Sequence, residues 1–286
     1  ACRAARISSL QANPGFQFSD TARWGTTATD GSGLTQGQVT TLTWNIVADG
    51  TPIGALGGIA GESTAPSSLK AFLNGIYGSE AVWITHFQSI FDQWSAITGI
   101  TYVKVNVDDG ASLATAAGLT GVRADIRIGG HFIDGPSNVL AYNFFPNNGD
   151  MVVDTGDTFY NDTSNSSQKL INVLAHEHGH GMGINHSCPV NATKLMEPFV
   201  NTAFTHAQLD DKLAGWRGYG DDKENNETSA TASNLGSLSN GTTTVGDLSA
   251  DDDSDVDFYK FTVAAGKRAA VTVTPIGTTY LAGPQV

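Results

Sequence analysis

The chain is poor in cysteine, in basic side chains and in long apolar runs, and each shortage excludes something. Its two cysteines, Cys2 and Cys188, are too few for a disulfide framework; one bridge would suit an extracellular setting, and two free thiols would serve equally well inside a cell. Lys and Arg number 15 against 28 acidic residues, a net charge of -13. That balance argues against nucleic acid as a partner, because phosphate backbones must be neutralised by cations. No run approaches the roughly 18 apolar residues of a membrane-spanning helix. Charged residues make up 15% of the chain, a low share for an intracellular enzyme. The sequence opens ACRAARISSL without a methionine, so it reads as processed or trimmed, with no signal peptide in view.

What is present is 40% apolar residues over a length of 286, enough for one sizeable domain and a smaller one. The 33 glycines, among many Ser, Thr and Asn, point to a loop-rich architecture. Acidic surfaces suit calcium-rich exterior fluids, since hard cations prefer carboxylate and carbonyl oxygens.

Residues 1–40 show no period and read as an extended arm or the remnant of a pro-segment. Leu42, Trp44 and Ile46 alternate with Thr43, Asn45 and Val47, a strand pattern. Trp83, Phe87, Ile90, Trp94 and Ile97 recur at helical spacing, with Ser79 as N-cap and Gly99 as terminator. Strands follow at 100–105 and 124–128, then 138–145 and 151–154 around the turn at Pro146 to Gly149. Helices are expected at about 167–181 and 205–217. This order predicts an α+β (mixed α/β) fold for a domain over 41–220. Near Asp221 the composition turns polar, as in a linker. Strand-like segments at 242–248, 258–263 and 269–274 then predict a small C-terminal β-sandwich over 221–286, lacking its last strands.

The chemistry concentrates at 176–186, which reads HEHGHGMGINH. His176 and His180 are four apart, so one helix face presents both to a single ion. Gly183 can take positive φ and turn the chain so that His186 returns as a third ligand. Three imidazoles and an open fourth position describe a catalytic zinc rather than a closed structural one, and the absence of a ligating carboxylate disfavours iron. Glu177 stands where its carboxylate can take a proton from a water whose pKa the metal brings to about 7. His178 falls off the ligand face and reads as an ordinary helix residue. His86 and His206 read as packing or surface residues, and His131 is left open between packing and ligation.

HEHGHGMGINHS resembles the metzincin zinc signature, and Ser187 after the third histidine is similar to the matrixin branch, the matrix metalloproteases. Lys194-Leu-Met-Glu-Pro198 looks like that branch's Met-turn, which implies Met196 as a hydrophobic floor beneath the zinc. Residues 124–128, 133–146 and 208–220 resemble matrixin segments as well, so the likeness covers about 40–220. It implies a twisted metzincin-like sheet with long helices and a zinc cleft, a monomer, and a secreted endopeptidase acting on protein or peptide substrates. It further implies an edge strand, Val139, Leu140, Ala141 and Tyr142, that pairs with an extended substrate. One calcium is implied at Asp134, Asp154 and Asp157 with carbonyls near Gly135, Ser137 and Val139, and a second at Asp125 and Asp150. Tyr142 and Val152 stand where matrixins place histidines of a second, structural zinc, so that ion is expected to be absent. Val200 replaces the tyrosine of the family's specificity wall. A disulfide from Cys2 to Cys188 is favoured over a latency role for Cys2. Ser254 to Val263 resembles the bacterial pre-peptidase C-terminal domain, and this resemblance alone implies a bacterial origin. A zinc hydrolase acting on another substrate, and a binding protein with a vestigial metal site, remain as alternatives to a peptidase.

Overall fold

The computed structural model describes residues 23–136, 138–187, 190–238, 241, 244–251 and 254–274; Cys2, Ser137 and Cys188, with the readings attached to them, lie outside the described residues. Two compact units are present. The larger holds residues up to 225 together with 247–255, and the smaller holds 226–246 and 256 onward.

In the larger unit a hairpin of β1 (Thr26–Thr27) and β2 (Gly31–Ser32) precedes β3 (Thr40–Ile46), α1 (Leu69–Tyr77), α2 (Glu80–Ser95) and β4 (Ile100–Lys104). Next come β5 (Ile126–His131), β6 (Ala141–Asn143), β7 (Met151–Asp154), α3 (Ser164–Met182) and α4 (Leu209–Tyr219). Five strands form one sheet in the order β4-β3-β5-β7-β6. All pairings are parallel except that of β6, which runs antiparallel to β7 at the edge. All residues of β5 and β7 are buried, as expected of parallel strands covered on both faces. Alternation then sorts neighbours into two cores: Met151 and Val153 join the large cluster with Trp44, Phe87, Phe91, Trp94 and Leu174. Val152 joins a smaller one with Val47, Ile53, Leu113 and Ile133.

The strands at 40–46, 100–104 and 151–154 and the helix after Ser79 match their sequence patterns, which periodicity alone can carry. Elsewhere tertiary packing moved or added elements. The strand expected at 124–128 runs 126–131, through two glycines that composition marks as loop; at Gly130 a Cβ would lie 2.7 Å from the Val153 carbonyl, so only glycine fits the sheet there. Helix α1 carries no long periodic pattern and was not expected. Helix α4 starts at 209 rather than 205, because a capping box joins Gln208 and Asp211. Residues 23–40, read as part of an arm, belong to the larger unit. Arg23 and Trp24 are buried, Trp24 Nε1 donates to Gly181 O at 2.8 Å, and Arg23 Nη1 to Gly218 O at 2.9 Å.

Among the described residues the smaller unit has β8 (Ser233–Ser237) paired in parallel with β9 (Tyr259–Thr262), not the expected sandwich. Residues 244–248 and 269–274 form no strand. Among the described residues Val256, Phe258, Phe261, Val271 and Val273 stay exposed, so their apolar side chains are not gathered into a core there. No helix among the described residues is long and apolar enough to cross a membrane.

Candidate metal centre and cleft

Helix α3 carries the site. Asn165, Ser166 and Ser167 take left-handed angles, and the right-handed helix runs from there to Met182, close to the start expected from sequence. Gly183 ends it at φ 106°, a region that favours glycine. The backbone then reverses, with Ile184 N donating to Gly179 O at 2.9 Å, and His186 returns toward His176 and His180.

The three Nε2 atoms converge: His186 Nε2 lies 3.2 Å from that of His176 and 3.2 Å from that of His180. Tetrahedral ligands at a zinc–nitrogen distance of about 2.05 Å are separated by about 3.3 Å, so the set fits zinc. The outward nitrogens support it. His176 Nδ1 donates to Leu195 O at 2.7 Å and His180 Nδ1 to Ile184 O at 2.7 Å, which leaves each Nε2 lone pair pointing inward. Burial brings the pKa of His176 down to about 3 and that of His180 to about 4, so both rings are neutral and able to ligate. These are the described histidines that gather into a three-ligand group.

Glu177 is 9% exposed and lines a cleft of about 330 Å³ with His180, His186, Ala141, Tyr142, Asn143, Phe145 and Asn185. Burial alone pushes its carboxyl pKa up to about 8. Edge strand β6 forms one side of this cleft. Val139 and Leu140, expected beside Ala141 and Tyr142, are placed differently: Val139 packs on the smaller core, and Leu140 O accepts Asp154 N and Tyr160 Oη. Phe145, whose ring centroid is 5.7 Å from that of His180, and Asn185 were not assigned to the site from sequence; Phe145 lies outside the 176–186 motif, and Asn185 lies within it but is not one of its ligand positions.

Met196 is fully buried, with its thioether against Gly179 of the helix that carries His176 and His180. A Cβ on Gly179 would collide with its Sδ and Cε, so the glycine between the two helical ligands is what admits the floor. Two carboxylates hold the turn that carries Met196. Asp211 accepts Leu195 N at 2.8 Å, Met196 N at 3.1 Å and Gln208 N at 2.8 Å. Glu197 accepts the N–H groups of Asn191, Ala192, Thr193 and Lys194 at 2.8–3.2 Å. Sequence reading missed both; the spacing of Gln208 and Asp211 was the available signal for one of them.

Burial acts to raise the Glu197 pKa, but those N–H donors and the Lys194 ammonium outweigh it and hold the carboxyl below 4.5. A depressed folded-state value means stability that is present above the unfolded pKa and is lost as pH falls through the folded one. The melting temperature is therefore expected to drop on acidification below pH 4.5, and Glu197→Gln to flatten that limb in a pH series of thermal melts. An unchanged acid limb would exclude this carboxylate as its source.

The carboxylates assigned to calcium by resemblance are met mainly by backbone. Asp154 Oδ1 accepts Ile133 N and Gly156 N, and its Oδ2 accepts Asp134 N and Gly135 N, so both oxygens are filled. Asp134 Oδ1 accepts Val139 N, and Asp157 Oδ1 caps Phe159 N. Asp125 ties Ala28 N to Thr43 N and Oγ1, and Asp150 ties Arg127 N to Ala114 N.

Of the remaining histidines, three pack and one is exposed. His178 is buried with its Nε2 2.6 Å from Tyr102 Oη, off the ligand face as expected. His86 stacks on Tyr77, and His206 is exposed. His131 Nδ1 is 3.0 Å from Ala65 O and its Nε2 3.2 Å from Glu62 Oε1, which answers the open question in favour of packing.

The matrixin family matches the chain over residues 78–216. A hatching enzyme of Paracentrotus lividus is 32% identical over 149 residues, covering 49% of this chain and 23% of that protein. An interstitial collagenase of Oryctolagus cuniculus is 34% identical over 114 residues, 39% of this chain and 22% of that protein. Stromelysin-3 of Mus musculus is 33% identical over 117 residues, 37% and 20%. The chain thus spans less than a quarter of the length of these relatives.

Proposed function

We propose, from the premise that the chain belongs to the matrixin family through residues 78–216, that it is a secreted zinc-dependent endopeptidase acting on protein substrates. One observation carries the reading: three Nε2 atoms converge at ligand spacing, and two of their rings, His180 and His186, line a cleft with a buried glutamate and the sheet's edge strand. His176, His180 and His186 would hold the metal. When bound, zinc supplies Lewis-acid polarisation of the scissile carbonyl and lowers the pKa of the attacking water.

The chain's own groups do the rest. Ala141 to Asn143 lie at the open edge of the sheet, so their outward N–H and C=O groups can pair with an extended peptide laid along the cleft. Glu177 takes the proton of the water as it attacks and can return it to the leaving amine. Its burial favours that uptake, because a carboxyl in a dry site holds a proton more readily than one in water. Leu195 O and Ile184 O keep two ligand rings in one tautomer, and Met196 closes the floor.

Matrixins also use structural calcium. For this chain Asp134 and Asp157 are the better candidates within the set assigned by resemblance, since Asp154 has spent its lone pairs on N–H donors. Residues from 226 on are read as a pre-peptidase C-terminal-like domain, on the strength of the 254–263 segment.

The test is digestion of an unfolded protein substrate. A zinc-selective chelator is expected to abolish cleavage, and stoichiometric zinc to restore it. Cleavage that survives complete removal of the metal would sink the proposal, as would purified protein that takes up no zinc.

A further inference from the structure

Tyr142 stands at a position where the resemblance to matrixins implies a metal-binding histidine, yet its side chain is not idle. Its Oη donates to Glu62 Oε1 at 2.7 Å. The other Glu62 oxygen accepts Gly57 N at 2.9 Å, and His131 Nε2 stands 3.2 Å from the oxygen that Tyr142 uses. The Glu62 and His131 side chains are 0% and 1% exposed, so both groups are withdrawn from solvent where they meet the tyrosine hydroxyl. The Tyr142 ring is in turn packed against Gly57, where a Cβ would come within 2.8 Å of its Cε1, and edge-on to Phe144.

Strand β6 needs such support. It is three residues long and has β7 as its single neighbour in the sheet. Ala141 anchors one face by burial in the large core, and Tyr142 packs against the smaller core on the other. The two faces of the strand are therefore held by one small side chain and one tyrosine, beside Asn143, whose amide donates to Phe144 O and Gly149 O. Tethering the tyrosine hydroxyl to the 57–62 loop restrains it from outside the sheet.

We propose that Glu62 is a positioning residue for substrate binding: by holding Tyr142 Oη it sets the edge strand in place for pairing with an extended peptide. The inference rests on the peptidase reading above. Glu62 itself is too buried to touch substrate and acts through Tyr142.

The experiment compares wild type with Tyr142→Phe, Glu62→Ala and the double variant. Each is assayed for kcat and KM on one fluorogenic peptide, for bound zinc, and for amide exchange at residues 141–143. Losing the tether is expected to raise KM about fivefold, the factor that one ordinary hydrogen bond carries, with kcat and zinc content unchanged. The double variant is expected to be no worse than Glu62→Ala, because both changes remove the same interaction. Exchange at 141–143 is expected to quicken in Tyr142→Phe, which keeps the ring and decides the matter if Glu62→Ala fails to fold. Unchanged KM and unchanged exchange in Tyr142→Phe overturn the proposal, and so does a fall in kcat with KM constant. A wild type that turns over no peptide sinks the peptidase reading and the substrate-binding part with it. Unchanged KM and exchange in Tyr142→Phe beside an active wild type sink the role of Glu62 alone and leave the peptidase reading standing.

Discussion

Glu177→Ala is expected to keep its zinc and to lose peptide cleavage by about a hundred- to ten-thousandfold in kcat, the usual worth of a positioned general base. The carboxylate is not among the converging ligand atoms, which are the three imidazole nitrogens, so its removal leaves the metal set intact. It sits one residue after His176 on the same helix and lines the cleft beside His180 and His186. Among the described residues its pKa is moved by burial and by no paired charge, which is the condition of a group kept for proton transfer rather than for an ion pair. Steady-state kinetics at several pH values, with zinc measured on the same samples, checks both halves. Equal cleavage by wild type and variant would refute the assignment. Loss of zinc together with activity would move Glu177 from proton transfer to metal retention.

The second large effect is predicted at a residue that touches neither metal nor substrate. Asp211 is fully buried, and its carboxylate satisfies three backbone N–H groups, two of them in the turn around Met196. Asp211→Ala leaves all three donors buried and unpaired, at about 1 kcal/mol or more for each. A total of about 3 kcal/mol lowers the melting temperature by roughly 6 to 12 °C in a domain of this size. The metal should feel it too, because Leu195, whose N–H Asp211 holds, also supplies the carbonyl that orients His176. Loss of such a supporting contact weakens metal binding by about 10- to 100-fold. Thermal melts with and without zinc, and competition titration against a chelator of known affinity, separate the two effects. A melting temperature and zinc affinity equal to wild type would show that the turn holds itself.

These two residues mark what could be read from sequence and what could not. The zinc ligands are legible because their spacing is a local property: residues four apart on a helix share a face, and a glycine that accepts positive φ returns the chain within six residues. Glu177 follows from the same short stretch, whereas Met196 came from the resemblance of residues 194–198 to the matrixin Met-turn. Asp211 and Glu62 were missed because their partners are distant. Leu195 is 16 residues before Asp211, and Tyr142 is 80 after Glu62; no periodicity records such a pairing. The histidine left open, His131, was undecidable for that reason, since only Glu62 and Ala65 determine what its ring does. Similarly, the carboxylates read as calcium ligands are chemically able to be so, and only the folded backbone shows that the oxygens of Asp154 are already taken by N–H groups.

The sequence by itself determined the spacing of the histidine triad and of the glutamate beside it, the main alternating strands and the long amphipathic helix, since each is written in spacings of two to ten residues. Tertiary structure decided the rest. It shifted β5 into the glycines, folded Arg23 and Trp24 into the larger unit, and shortened the edge strand to three residues. It also turned buried acids into clamps for backbone N–H groups. Those outcomes depend on which remote surfaces meet, and burial makes them binding: a polar group taken out of water must find a partner wherever the fold has placed one.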